Sequence, residues 1–531
     1  MFLIMSAFVA QGLTPAILLF LGFVCYVYGR VHSYVNYSGS IPRVGRTGVI
    51  GFLVTALRYT VDAETVIREG KAKYADQPFA VPTLAGPVFL LRPEFLDKVR
   101  ASTDQVLNEP MTVDDDLQLP YTMDEHQLKN PYQATVLRTD VNRALPSYIP
   151  EMLEESILAI EDALGPLKTT DGHFELPVFD TMTHLIARVS NRVVFGLGLC
   201  RDEGFLRAIV RFAETLPLMA PFIRWTPHRF RPVTYSILSR IFGGKREPLR
   251  YILPYLQDHF DNHKSLSDAT TLVAEHLIKN APPEETLLGL ATRLLNINFG
   301  SIHTSSIFIT QTLFEIALLD CEAVESMRKE VQEALDSEGG WTKGSLLKFR
   351  KIDSALREVG RVYGLMHFAL PRYTMVDFDL GNGQIVPPGY KVAVDMHAVH
   401  FDPNVYPDPK RCDLFRFSKL RELGGTDAKY GFATVDNHYL PFGAGGMLPG
   451  TVKRGSTNPV IITGRHACAG RFFAVTELKM MFAHIILNFD ISYPDGIHTR
   501  PKNMLFDGAI IPDPKAKLIF KPRPSQPSGA Y

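Results

Sequence analysis

Cysteine is scarce: five residues, Cys25, Cys200, Cys321, Cys412 and Cys468, in a chain of 531. They are far apart and no CxxC pair occurs, which excludes a disulfide framework and a zinc ribbon. That usage suits a reducing compartment, or cysteine kept for chemistry. Net charge is absent too. The 56 Lys+Arg balance 56 Asp+Glu, which argues against a protein built to coat nucleic acid. Internal repeats and low-complexity tracts are missing, and 46% hydrophobic against 21% charged residues exclude global disorder. The most local absence lies at the start, where Met1 to Gly29 carry no charged side chain.

That uncharged stretch holds an apolar run from Pro15 to Tyr28, extended upstream by Phe2–Ala10. About 20 such residues cross a bilayer as a helix. Positive charge first arrives at Arg30, Arg43 and Arg46, so the remainder is expected to face the cytosol. A cleaved signal peptide is disfavoured by the missing basic n-region and the long run. The reading is a single-pass anchor over 1–29 in the endoplasmic reticulum membrane, a linker over 30–47 broken at Gly39–Pro42, one large cytosolic domain over 48–522, and a tail over 523–531.

The domain reads as mainly α with minor β sheets. A helix is expected around Ile50–Glu69, then a hairpin from Phe79–Pro82 and Val88–Leu91 with Ala85-Gly86 at its turn. Helical periodicity dominates from about 150 to 365. Its longest segment begins at Pro282-Pro283-Glu-Glu and runs to about Asp320, with Pro and acid placed as a helix N-terminus prefers. After 368 the pattern turns to strand: Arg372–Phe378, the turn at Gly381-Asn-Gly383, and Lys391–Val394. Helix returns at Arg471–Leu487. The proline-containing apolar stretch Leu216–Trp225 reads either as a segment dipping into a membrane surface or as a helix–loop–helix connection.

Two small motifs carry chemistry. In Arg465-His-Ala-Cys-Ala-Gly470 the cysteine sits just before a helix, where the dipole and nearby cations favour a thiolate, as metal ligand or nucleophile. In Glu358-Val-Gly-Arg361 the i,i+3 spacing pairs acid and base on one helix face. Glu247–Arg250 and Glu325–Arg328 share that spacing, and most such pairs are weak and solvated. Order distinguishes Glu358–Arg361: it follows the long helix and precedes the strands, Phe415-Arg416-Phe417 and then Cys468.

In that order the chain resembles the cytochrome P-450 family along nearly its whole length, and within it fungal members of the ent-kaurene-oxidase-like group. Gly300-Ser-Ile-His-Thr304 looks like the family's oxygen-activation stretch, Glu358, Arg361 and Arg416 like its structural triad, and Phe442-Gly-Ala-Gly445 with Arg465–Gly470 like its haem-binding motif. The resemblance implies a cytochrome P-450 fold behind an N-terminal transmembrane helix, and haem b with Cys468 as axial thiolate. It implies Thr304 as the group that hydrogen-bonds bound O2 or a proton-delivering water. His303 stands where the family usually has an acid and offers a proton shuttle or an inert polar residue. Arg138, Arg372 and His466 are the expected partners of the haem propionates, although Ala134 replaces the tryptophan usual four residues before Arg138. Phe442 is expected to pack near the thiolate. Substrate contacts are expected from Phe368, Leu370, Leu505 and Ile510, with His367 or Asp507 as the polar option.

One departure matters. The family motif is contiguous, whereas here nineteen residues, Gly446–Gly464, intervene. Removing them restores Phe-Gly-Ala-Gly-Arg-His-Ala-Cys-Ala-Gly. The insertion has two Pro, four Gly and no helical period, so it reads as a loop. An in-frame retained intron is the favoured origin, with interruption of the turn under the thiolate as the expected cost. The implied activity is a membrane-bound monooxygenase using O2 and electrons from an NADPH-dependent reductase on a hydrophobic polycyclic substrate. The rivals are a haem-thiolate isomerase or dehydratase, and a silent protein with impaired haem binding.

Overall fold

A computed structural model of the protein describes residues 14–36, 41–75, 77–165, 172–262, 272–381, 383–444 and 466–523. The insertion Gly446–Gly464, the upstream run Phe2–Ala10, Gly39-Ser40, Asn382 and residues 524–531 lie outside them.

Helices dominate. They include α1 (Thr14–Val35), α2 (Gly48–Val61), α3 (Ala63–Lys73), α4 (Asn142–Leu164), α5 (Val178–Val194), α6 (Glu203–Trp225), α7 (Arg231–Phe242), α8 (Leu287–Ile316), α9 (Arg350–Val362), α10 (Met396–His400), α11 (Arg416–Glu422) and α12 (Arg471–Asn488). Among the described residues no helix is long and apolar enough to cross a membrane. Helix α1 runs past the expected boundary at 29, and Arg30 docks it: Nη1 donates to the Arg224 carbonyl at 2.6 Å and the guanidinium lies 5.2 Å from the Trp225 ring.

The helix expected around Ile50–Glu69 is two helices. Asp62 leaves helical geometry (φ −151°, ψ 65°) and its carboxylate accepts from Thr65 N at 3.1 Å, capping α3. Leu216–Trp225 is no connection; it is the last part of α6, with Pro217 and Pro221 inside the helix. Helix α8 starts later than Pro282 implies because Thr286 is the cap, accepting from Gly289 N at 2.9 Å. Its 30 residues at about 1.5 Å each give a rod of about 45 Å through the core, packed on α5, α6 and α12.

The main sheet has five strands, β1 (Phe79–Thr83), β2 (Gly86–Leu91), β3 (Leu107–Asn108), β4 (Phe368–Thr374) and β5 (Lys391–Asp395), in the order β1-β2-β5-β4-β3. The expected hairpin is β1–β2, paired Phe79↔Leu90 through Thr83↔Gly86. A short hairpin, β6 (Met504–Phe506) and β7 (Ala509–Ile511), turns at Asp507-Gly508 and hangs on α2 through Asp507 N to Thr60 O, 2.8 Å.

Candidate active site

The site starts from a loop closed across the insertion. Cys468 N–H donates to the Phe442 carbonyl at 2.9 Å. Gly443 makes the turn in the left-handed region (φ +74°), where a Cβ would lie 3.1 Å from the His466 carbonyl. Gly445 to Arg465, where the interruption is expected, lie outside the described residues; on either side of them the two half-motifs meet through the Cys468–Phe442 hydrogen bond. The Phe442 ring stacks on Phe308 of α8 at 6.1 Å and meets Phe432 edge-on at 5.1 Å, which fixes the first half of the loop to the central helix.

Cys468 opens into a cavity of about 330 Å³ between α8 and the start of α12. Gly300, Thr304 and Phe308 form one wall, spaced as one helix face; Gly470, Phe473 and Leu478 belong to the other. Burial pushes the thiol up, while the backbone N–H groups of Gly470 and Arg471 and the charges of Arg471 and Arg138 pull it back. No group of three or more His, Cys, Asp or Glu that could hold a metal ion occurs among the described residues. A largely apolar slot with a single thiol donor fits a cofactor that brings the remaining ligands of its iron with it.

Charge gathers at the edge of this loop. His466 lies 3.0 Å from Asp104 through Nε2 and 3.3 Å from Glu109 through Nδ1. Burial raises Glu109, but the His466 hydrogen bond and the charges of Arg372, His466 and Arg138 outweigh it and hold the carboxyl low. Arg138 Nη2 donates to the Ala467 carbonyl at 3.1 Å. The three cations read from the sequence thus share one neighbourhood, with two acids that sequence reading missed.

Beneath the loop lies the expected triad. Glu358 is fully buried and takes Arg361 in a fork, Nε to Oε2 at 2.8 Å and Nη2 to Oε1 at 2.7 Å. Arg416 Nε and Asp413 N each donate to Oε1 as well, both at 3.0 Å. Arg361 spends its remaining donors on the carbonyls of His400, Pro409 and Arg411.

Comparison with known proteins decides the family. The pattern of the family "Cytochrome P450" matches residues 129–446 and 463–520, well over half of the chain. The chain belongs to the cytochrome P450 family. It is 30% identical to cytochrome P450 monooxygenase 103 of Postia placenta, over 91% of this chain and 94% of that protein. It is 27% identical to ent-kaurene oxidase P450-4 of Gibberella fujikuroi (92% and 95%) and to cytochrome P450 monooxygenase paxQ of Penicillium paxilli (91% and 92%). The family match breaks at 446 and resumes at 463, where the sequence alone places the insertion. Membership implies haem iron with a cysteine thiolate ligand, which agrees with the donor set around Cys468.

Other expected P450 site residues fall in different places. Thr304 lines the cavity, its Oγ1 donating to the Gly300 carbonyl at 2.8 Å. His303, one residue earlier, is not among the cavity's lining residues; it hydrogen-bonds the backbone at Val210 of α6, and burial lowers its pKa to about 4. It is therefore neutral near pH 7, and Nε2 has no partner among the described residues. Phe368 packs beside β1 and Leu370 (φ +53°) in the sheet core. Leu505, Ile510 and His367 line a second cavity, and Leu365 is the residue of that loop on the Cys468 side.

Two supporting residues escaped the sequence reading. His400, buried at the end of α10, lies with Nδ1 2.9 Å from the Arg361 carbonyl, and its Nε2 accepts from Leu440 N at 3.1 Å. That pairing requires the neutral ring protonated on Nδ1. It ties the triad to the strand of chain entering Phe442. Glu477 of α12 is fully buried with Oε1 accepting from Ser190 Oγ at 2.6 Å, and burial raises its pKa to about 8. Both lack a motif; only packing brings their partners close.

Proposed function

We propose that this P450 is a membrane-anchored monooxygenase that hydroxylates a hydrophobic polycyclic substrate, a steroid, diterpenoid or triterpenoid, with O2 and electrons from an NADPH-dependent reductase. The observation that carries the reading is the closed Phe442–Cys468 loop, which presents one thiol to an apolar slot faced by Thr304. Bound there, haem would supply the oxygen activation that places one atom of O2 in a C–H bond while the other leaves as water. The loop and helix N-terminus hold the thiolate, and Arg138, Arg372 and His466 offer cations to the propionates. Thr304 offers a hydroxyl at the cavity wall that can relay a proton. The apolar walls exclude bulk water and favour buried hydrocarbon at about 25 cal/mol per Å².

Membrane seating is supported by exposed apolar stripes. Ile50, Val54, Leu57 and Val61 repeat along α2, and Val233, Ile237 and Ile241 along α7, with Phe230 just before it, each stripe at the spacing of one helix face. The uncharged N-terminus and Arg30 suit the single-pass anchor with a cytosolic domain. Names of relatives such as ent-kaurene oxidase favour terpenoid chemistry. The test is expression of the full chain in reductase-containing microsomes against a panel of steroids and terpenoids, with products read by mass spectrometry. Reductase-dependent, O2-dependent hydroxylation is expected. Turnover without reductase would favour an isomerase or dehydratase, and turnover confined to small polar compounds would overturn the substrate class.

A further inference from the structure

The second cavity, about 510 Å³, lies away from Cys468, between the end of α9, α10, and the β6–β7 hairpin. Its neighbour of about 380 Å³, along α3, shares Glu64, His367 and His397 with it, so the two form one cleft. The polar groups in its walls divide into two kinds. Arg361 is saturated by Glu358 and three carbonyls, and Lys71 is paired with Asp395 at 2.8 Å. Glu64 lies 3.7 Å from Arg68. Lys410 and Lys502, in contrast, are exposed at the walls of the cleft with no ion pair among the described residues. His367 is only 8% exposed, lines both parts of the cleft, and its Nε2 has no hydrogen-bond partner among the described residues. A buried imidazole nitrogen left unpaired beside open space is costly unless something fills that space.

Tyr363, His400 and Asn503 also line the cleft and are already engaged, with Glu315, with Arg361 and Leu440, and with Gln311. Its apolar part is Met366, Met396, Leu505 and Ile510, with Phe401 stacked flat on His397 at 4.1 Å. Methionines adapt to varied shapes. We propose that this cleft is an accessory binding site for a small molecule with an apolar body and a carboxylate end, the body seated on Met366, Met396, Leu505 and Ile510 and the carboxylate met by Lys410, Lys502 and His367 Nε2. Two excess cations and a single unpaired ring nitrogen select an anion over a neutral or cationic head of the same length. The site is distinct from the Cys468 cavity but touches its wall, because Leu365 lines that cavity while the next two residues, Met366 and His367, line this cleft.

The test is equilibrium dialysis of the full-length holoprotein in phosphatidylcholine nanodiscs, with empty discs subtracted, and it requires no turnover. The probes are decanoate, abietate, decanol and decyltrimethylammonium. Saturable binding of the acids is expected, at least tenfold tighter than decanol or the cation; the tighter acid distinguishes a fatty-chain from a fused-ring occupant. The double variant Lys410→Glu, Lys502→Glu, at two exposed positions and checked for unchanged haem content, is expected to weaken acid binding at least tenfold. His367→Leu should weaken it severalfold. Binding should persist when clotrimazole saturates the Cys468 cavity. Absence of saturable acid binding, affinity unchanged in the lysine variant, or full displacement by clotrimazole would each overturn the site.

Discussion

Cys468 and Glu477 lie on the same short stretch of chain and make opposite demands on their surroundings. Cys468 needs its charge, and two backbone N–H groups with Arg471 and Arg138 oppose the burial that raises it. Cys468→Ala is expected to remove the reduced-CO absorbance of thiolate-bound haem while the chain still accumulates. A normal thiolate band from the variant would refute the assignment. Cys200, buried with its thiol raised to about 11, should tolerate Ala with the spectrum intact. Glu477 needs a proton. Burial lifts it from 4.5 to about 8, so the folded chain keeps a proton that the unfolded chain releases. Its contribution to stability is complete below about pH 4.5 and is lost as pH rises through about 8. A tenfold change in proton affinity is worth about 1.4 kcal/mol, so the effect amounts to several kcal/mol. The midpoint of thermal unfolding should fall from pH 6 to 8.5 in the wild type and much less in Glu477→Gln. Parallel curves would place the proton elsewhere.

At the scale of elements, α9 carries the clearest contrast. Glu358–Arg361 and Glu325–Arg328 have the same spacing, yet Glu358 is fully buried whereas the Glu325 side chain is 59% exposed. Arg328 also keeps Asp490 at 2.7 Å and two carbonyls. Removing Glu358 strands Arg361 and Arg416 in the interior at a cost of about 3–5 kcal/mol, against well under 1 kcal/mol for an exposed pair. Glu358→Ala should fail to accumulate as holoprotein, while Glu325→Ala accumulates normally; equal haem yields from both would show that the burial argument fails. The spacing of these pairs was legible in sequence, and so was the order that singled out Glu358. Burial itself was not, because it depends on Arg416 and Asp413 arriving from far along the chain. The same limit hid His400 and Glu477. Other misses were local. Asp62 could have been read as a cap that divides α2 from α3, whereas His303, three residues after Gly300 on α8, is turned from the cavity by its packing against α6 at Val210, which helical phase does not reveal.

For the molecule as a whole, the decisive question is what Gly446–Gly464 does to assembly. Helices α8 and α12, the triad and the Phe308–Phe442 stack reach the loop from both sides, and none of these contacts runs through the insertion. The Cys468 N to Phe442 O hydrogen bond closes the loop at 2.9 Å on residues that flank it. Bridging two points already held together costs a flexible loop only a slowly growing closure entropy, about 0.6 kcal/mol for each doubling of length. The contacts made by the flanking residues should therefore tolerate the nineteen inserted residues. We expect the chain as it stands and the form lacking Gly446–Gly464 to load haem to similar extents and to show the same reduced-CO band, with unfolding midpoints within a few degrees. Haem in the shortened form alone would mean that the insertion disrupts the turn after all. Sequencing transcripts across the junction addresses its origin separately: a spliced species lacking these codons is expected if the segment is a retained intron, and finding only the long form would end that explanation.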